Sequence, residues 1–215
     1  MRASRHSQRG SQKPTKITLG TVEKNKKLTL TAIIVIVVAI VIDQIIKILV
    51  RTNMTPGETI SVIGNWFLLH FVENEGIAFG VSFGQNIGKL LLSLFRIGIV
   101  GFLTYYVFKM IKMGKLRTGT VVLSSMVLAG AIGNIVDSLF YGVIFGYAPV
   151  LYGSVVDMFY FPLFLLPEWF PVFGGEYFFP AVFNFADSCV TVGLIGLLFF
   201  LKDFSDKKEE AVSKK

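Results

Sequence analysis

The sequence predicts an all-α integral membrane protein, a bundle of four transmembrane helices with a small extracytoplasmic β-cradle. Three observations carry this reading. The 215 residues are 53% hydrophobic and only 16% charged, and the apolar residues fall in long blocks. Four blocks, 28–50, 87–108, 119–141 and 182–201, reach the ~20 residues a helix needs to cross a bilayer. Of the 21 Lys and Arg, 17 cluster in 1–27, 109–117 and 202–215, whereas 52–86 and 142–181 hold none. Positive charge marks the cytoplasmic side, so both termini are expected inside and the two long connections outside. With its +7 net charge arranged this way, the chain is not expected to bind nucleic acid.

Residues 1–27, rich in Lys, Arg, Ser, Thr and Gln, read as a basic cytoplasmic tail suited to anionic lipid. They do not read as a cleavable secretory signal. The apolar run that follows is too long and lacks a small-residue cleavage site. Residues 28–202 are the membrane domain, and 203–215 a second charged cytoplasmic tail. The first span carries Asp43 and Lys47 in its outer half. Their i,i+4 spacing, acid first, favours an internal ion pair that lets both enter the membrane; contact with a bound ligand is the alternative.

Residues 59–63 and 66–72 are β-prone runs on either side of Gly64-Asn65, which predicts a hairpin. Glu73-Asn74-Glu75-Gly76-Ile77-Ala78-Phe79-Gly80 then predicts a tight, shaped loop. The second span holds Lys89 near its outer end, where it can snorkel, and Arg96 about nine residues in, too deep to do so. Arg96 should face inward, towards a carboxylate. Matching depths from the outer ends of the spans pairs Arg96 with Asp43, and Lys47 with Asp137.

In the third span, Ala129-x-x-x-Gly133 allows close helix approach. Asn134-x-x-Asp137 follows on one face, and the same spacing recurs as Asn184-x-x-Asp187 at the start of the last span. Between them, Gly153 to Met158 is a short β-prone strand that carries Asp157. Ten aromatics and four prolines follow within 158–180. The prolines argue against a fifth span. The aromatics suit the headgroup level, as a simple interfacial belt or as a lipid-contacting shelf beside the site. Trp169, Phe170 and Phe173 are placed there. Cys189, the single cysteine, reads as a small core residue.

Asp43, Asp137, Asp157 and Asp187 compete for the outer half of the membrane. A carboxylate near the bilayer centre costs at least ~2.5 kcal/mol and is rarely idle. No His lies near Ser188 or Cys189, so a nucleophilic triad has little support. A metal site would have to be all-oxygen. A pair of carboxyls remains, and two close carboxyls share one proton. The ionised member can take a proton from water; the protonated one can hydrogen-bond a carbonyl and later protonate the leaving amine. That is peptide hydrolysis without a covalent intermediate. A proton-coupled membrane transporter using intramembrane carboxylates would need the same residue types. Spacing alone leaves both open, and leaves open which two acids pair.

Five motifs occur in one order: Asp43-Gln44-x-x-Lys47, Asn74-x-Gly76-x-Ala78-Phe79, Gly133-Asn134-x-x-Asp137, Val155-Val156-Asp157 and Phe183-Asn184-x-Ala186-Asp187-Ser188. In them the chain resembles the bacterial lipoprotein signal peptidases, or signal peptidase II, over roughly residues 28–202. The resemblance implies catalytic aspartates at Asp157 and Asp187. It implies that Asp43, Lys47, Asn74, Gly76, Asn134, Asp137, Asn184 and Ala186 line or support the site. It further implies an aspartic endopeptidase of the bacterial inner membrane, active near the outer face. Such an enzyme removes the signal peptide of a diacylglyceryl-modified prolipoprotein, cutting just before the lipidated cysteine, with no metal or organic cofactor. A monomer is expected, in contact with membrane lipids. Two departures stand out. Ser138 replaces the arginine the family often has after the acid of Gly-Asn-x-x-Asp. The stretch between Asp157 and Asp187 is longer and more aromatic than in many members.

Overall fold

The computed structural model describes residues 19–76, 85–171 and 174–213, with side chains omitted for 85–86 and 201–213. Four long helices carry the chain: α1 (Leu19–Asn53), α2 (Gln85–Lys112), α3 (Thr118–Val136) and α4 (Phe185–Ser213). After Val136, α3 runs on through a π-helical turn (Asp137–Tyr141) and one further turn (Gly142–Ile144). Three helical stretches, Leu19–Asn53, Ile87–Lys112 and Thr118–Ile144, are long and apolar enough to cross a membrane. The apolar part of α4, Phe185–Phe200, is shorter.

The outward face of α1, with Ile33, Val37, Val41, Ile45 and Leu49 all exposed, is apolar where a soluble bundle would be charged. Helix α1 begins at Leu19, so residues 19–27, expected to be part of a solvated tail, are its first turns. Three contacts favour this. Glu23 and Lys27 pair at 3.0 Å with i,i+4 spacing, and the Asn25 amide donates to the Lys112 carbonyl at 3.0 Å. Leu28 and Ala32 then bury against Ile111 and Val121.

Helices α3 and α4 approach most closely because their contact is built from small residues. A Cβ on Gly130 would run into the Ala186 carbonyl, and one on Gly133 would lie 2.7 Å from Asp43 Oδ2. Gly193 meets Val127 and Leu123 in the same way. The expected Ala129/Gly133 contact is therefore carried by Gly130 and Gly133, with Ala129 buried beside them.

The outer connections build one antiparallel sheet in the order β1-β2-β3-β4: Thr59–Ile63, Phe67–Asn74, Val155–Tyr160 and Val182–Phe183. The predicted hairpin is present, and Gly64 in its turn has φ +52. Strand β2 runs on through Glu73 and Asn74, which were expected to begin a loop. Ile77 to Gly80 lie outside the described residues. Strand β4 takes Val182 and Phe183 out of the expected last span; the helix starts two residues later.

Strand β3 separates two environments by its alternation. Val156 and Met158 bury completely against Val50, Met54, Phe71 and Tyr141. Asp157 points to the other face. The segment beyond β3 folds back as an arm. Phe178 N–H donates to the Phe164 carbonyl and Leu166 N–H to the Glu176 carbonyl, each at 2.8 Å. The Phe164 and Phe178 rings stack at 4.9 Å.

Candidate active site

The site is built at the first turn of α4. Asn184 is its N-cap. The Asn184 Oδ1 accepts the Asp187 N–H at 2.9 Å, and Asp187 Oδ2 accepts the Asn184 N–H at 3.3 Å. This is a capping box, in which two groups short of helical partners satisfy each other. The next free donor, the Ala186 N–H, goes to Asp43 Oδ1 on α1 at 2.9 Å.

With its oxygen committed to the cap, Asn184 must present its NH2 elsewhere. It donates to Asp157 Oδ1 at 2.6 Å and to Asn134 Oδ1 at 3.1 Å. Asn134 is oriented in turn by Lys47, whose ammonium donates to the same Oδ1 at 2.9 Å. Its NH2 therefore faces Asp187 Oδ1, at 2.8 Å. On the far side, Asn74 Oδ1 accepts the Gly76 N–H at 2.9 Å, and the Asn74 NH2 donates to Asp157 Oδ2 at 3.0 Å. Gly76 has φ +68, and a side chain there would collide with Leu92. Asp157 and Asp187 are thus bridged by two asparagines, each with only one workable orientation.

Beneath them lies a charged support with no exposure. Lys47 Nζ reaches Asp137 Oδ2 at 2.7 Å and Asp43 Oδ2 at 2.9 Å. With Asn134, these use all three ammonium donors. The expected Lys47–Asp137 pair is present. The expected Arg96–Asp43 pair is not: Asp43 is occupied by Lys47 and the Ala186 N–H. The charges acting on Arg96 are those of Asp187 and Asp157.

All ten residues singled out from the sequence join one hydrogen-bonded network: Asp43, Lys47, Asn74, Gly76, Asn134, Asp137, Asp157, Asn184, Ala186 and Asp187. Two members were not singled out. The Gln44 amide donates to Asp137 Oδ1 at 2.9 Å, and its carbonyl accepts the Tyr141 hydroxyl at 3.1 Å. The signal for Gln44 was its place inside the Asp43-Gln44-x-x-Lys47 motif; Tyr141 had none. At Ser138, where an arginine was expected, the hydroxyl turns back to the Asn134 carbonyl at 3.1 Å. The π turn here releases carbonyls from the helical ladder. Two of them, on Ser138 and Leu139, accept the Gly153 and Leu151 N–H groups and so dock the loop that leads into β3.

Asp157 is 3% exposed. Burial pushes its carboxyl up to about 6; the Asn74 hydrogen bond pulls it back, the Asp187 charge raises it, and Asn184 and Lys47 lower it. Asp187 is half-buried. One acid near neutrality beside a second, more accessible one can hold a single proton between them. A cavity of about 530 Å³ lies on the outer side of the protein, lined by Glu73, Glu75, Lys89, Tyr147, Tyr152 and Ser154 among others; neither acid lines it.

Residues 35–202 match the sequence model of the family described as Signal peptidase (SPase) II. The chain is 47% identical over 182 residues to the lipoprotein signal peptidase of Porphyromonas gingivalis, covering 76% of this chain and 79% of that one. It is 38% identical over 168 residues to that of Amoebophilus asiaticus, covering 73% and 71%. A solved bacterial membrane enzyme, determined by the in meso method at 1.9 Å resolution, superposes with a TM-score of 0.58 at 30% identity, over 80% of this chain and 92% of that one. The amide-bridged acids therefore sit in a chain that belongs to the signal peptidase II family and is a peptidase.

Proposed function

We propose that the protein removes signal peptides from diacylglyceryl-modified prolipoproteins, cutting before the lipidated cysteine, with Asp157 and Asp187 as the catalytic pair. The observation that carries this is the amide bridge Asp157–Asn184–Asn134–Asp187. It holds two carboxyls in fixed orientation, and the mechanism assigns the pair one proton. A water between the carboxyls loses its proton to the ionised acid and attacks the scissile carbonyl carbon. The protonated acid hydrogen-bonds the carbonyl oxygen. Collapse of the tetrahedral intermediate returns a proton to the leaving amine, and the pair is restored.

The three apolar helices and the family fit a bacterial inner-membrane protein. In this proposal α4 is the fourth span, both termini are cytoplasmic, and the acids lie near the outer face. The protein acts as a monomer. The acyl chains of the substrate stay among lipid tails while its peptide reaches the pair laterally.

The test is incubation of the purified protein with a diacylated prolipoprotein and with its unlipidated form. Cleavage of the first and sparing of the second is expected. Asp157→Asn and Asp187→Asn should each abolish turnover, with no further loss in the double variant, as for groups acting as a unit. Substrate-dependent proton flux in liposomes without cleavage would replace this reading with a transporter.

A further inference from the structure

Among the described residues, Arg96 makes no hydrogen bond and no ion pair. The other basic side chains of the outer half are all engaged. Lys47 has three partners, Arg51 pairs with Glu73 and is flanked by the Phe145 and Tyr147 rings, and Lys89 donates to Ser154 Oγ at 3.1 Å. Arg96 lies on the inward face of α2 that these contacts define. Lys89, Ser93, Arg96 and Val100 follow at helical spacing; Ser93 is buried and donates to the Leu151 carbonyl at 3.0 Å, and Val100 is buried below. Arg96 is half-buried and lies about 16 Å along α2 from Gln85, too deep to snorkel out.

An unpartnered guanidinium at that depth is costly, so a role in binding offsets what folding does not. The carboxylates whose charges reach it are Asp187 and Asp157, yet both lie beyond ion-pair distance. All four of their oxygens already accept from Asn74, Asn184 or Asn134. The guanidinium is thus near enough to feel both acids, and no protein oxygen among the described residues takes its donors. A peptide brought to the pair carries backbone carbonyls that have lost water and need donors. The planar guanidinium offers five donors in a fork that can meet two such oxygens.

We propose that Arg96 is a further substrate-binding residue, whose guanidinium donates to backbone carbonyls of the peptide lying between α2 and the Asp157/Asp187 pair. This rests on the peptidase reading above. The test is steady-state cleavage of a diacylated prolipoprotein by the wild type and by Arg96→Gln, Arg96→Met and Arg96→Lys, with thermal unfolding of each in detergent. Gln and Met should raise KM tenfold or more while kcat stays within a few-fold, as expected when ground-state and transition-state binding are lost alike. Lys, which keeps the charge and loses the fork, should fall between. Melting temperatures should hold or rise, because no partner is orphaned. An unchanged KM with a displaced pH optimum would make Arg96 a counter-ion of the acids and overturn the proposal. So would an unchanged KM with a lowered melting temperature, the mark of a structural role. A wild type that does not cleave overturns both readings; a cleaving wild type matched by its Arg96 variants overturns this one alone.

Discussion

Asn184 and Asp187 cap each other at the first turn of α4, so the hydrogen bonds that begin the helix also aim a carboxyl of the candidate pair. Substitutions at Asn184 should separate these duties. Asn184→Asp keeps an oxygen for the cap but loses the donors to Asp157 and Asn134, and it sets a third carboxyl beside the pair. Turnover should fall at least ~10²-fold with the helix retained. Asn184→Ala loses the cap as well and should cost a further ~1–2 kcal/mol of stability. Cleavage rates and thermal melts on the same preparations check both.

The raised Asp157 carboxyl gives a signed dependence on pH. Its ordinary value is 3.8, and in the folded protein it lies at about 6. Between those values the native state holds the extra proton, so this group's stabilising contribution is full below about pH 4. It is lost as pH rises to about 6 and stays lost above. The difference amounts to about 3 kcal/mol. Unfolding of the wild type and Asp157→Asn across pH 4–8 should therefore diverge up to about pH 6 and run parallel beyond. If Asp157 supplies the proton, turnover should also fall as pH rises past about 6.

Lys47 pairs with two buried acids at once. Lys47→Met orphans both and should destabilise the protein by ~3–5 kcal/mol. Adding Asp137→Asn removes one orphan charge and should recover part of that loss. Melts in detergent for the two singles and the double decide it. Simple additivity would mean that the 2.7 Å contact carries no coupling.

The arm between β3 and β4 presents Trp169 at 80% exposure, with Phe164, Phe170 and Phe178 also exposed. Phe173 lies outside the described residues. In a Trp66→Phe background, Trp169 fluorescence should respond to lipid-borne quenchers at shallow depth. Trp169→Ser with Phe170→Ser should weaken lipoprotein cleavage more than it lowers the melting temperature. Quenching by aqueous agents alone would show the arm standing clear of the bilayer.

The long helices and the hairpin were readable because apolar length and turn chemistry are local properties of the chain. The Lys47–Asp137 contact was readable from depth alone. Depth also suggested Arg96–Asp43, and there it failed: it fixes height along the bundle but not the direction a side chain faces. Asp43 was drawn instead to the free N–H of Ala186, a donor that exists only once α4 begins at Phe185. That start depends on β4 pairing Phe183 with Phe159, a contact between residues 24 apart that no local pattern encodes. Tyr141 escaped notice for a similar reason, since the π turn that buries it has no sequence signature.

The same pairing of Phe159 with Phe183 has a further consequence. It closes the aromatic arm at its base, with Asp157 and Asn184 just inside the closure. The arm is then a loop on a fixed stem, and its length is uncoupled from the spacing of the acids. Lengthening such a loop is cheap, about 0.6 kcal/mol of closure entropy for each doubling. The outer surface can vary in size and character while the chemistry beneath it keeps its dimensions.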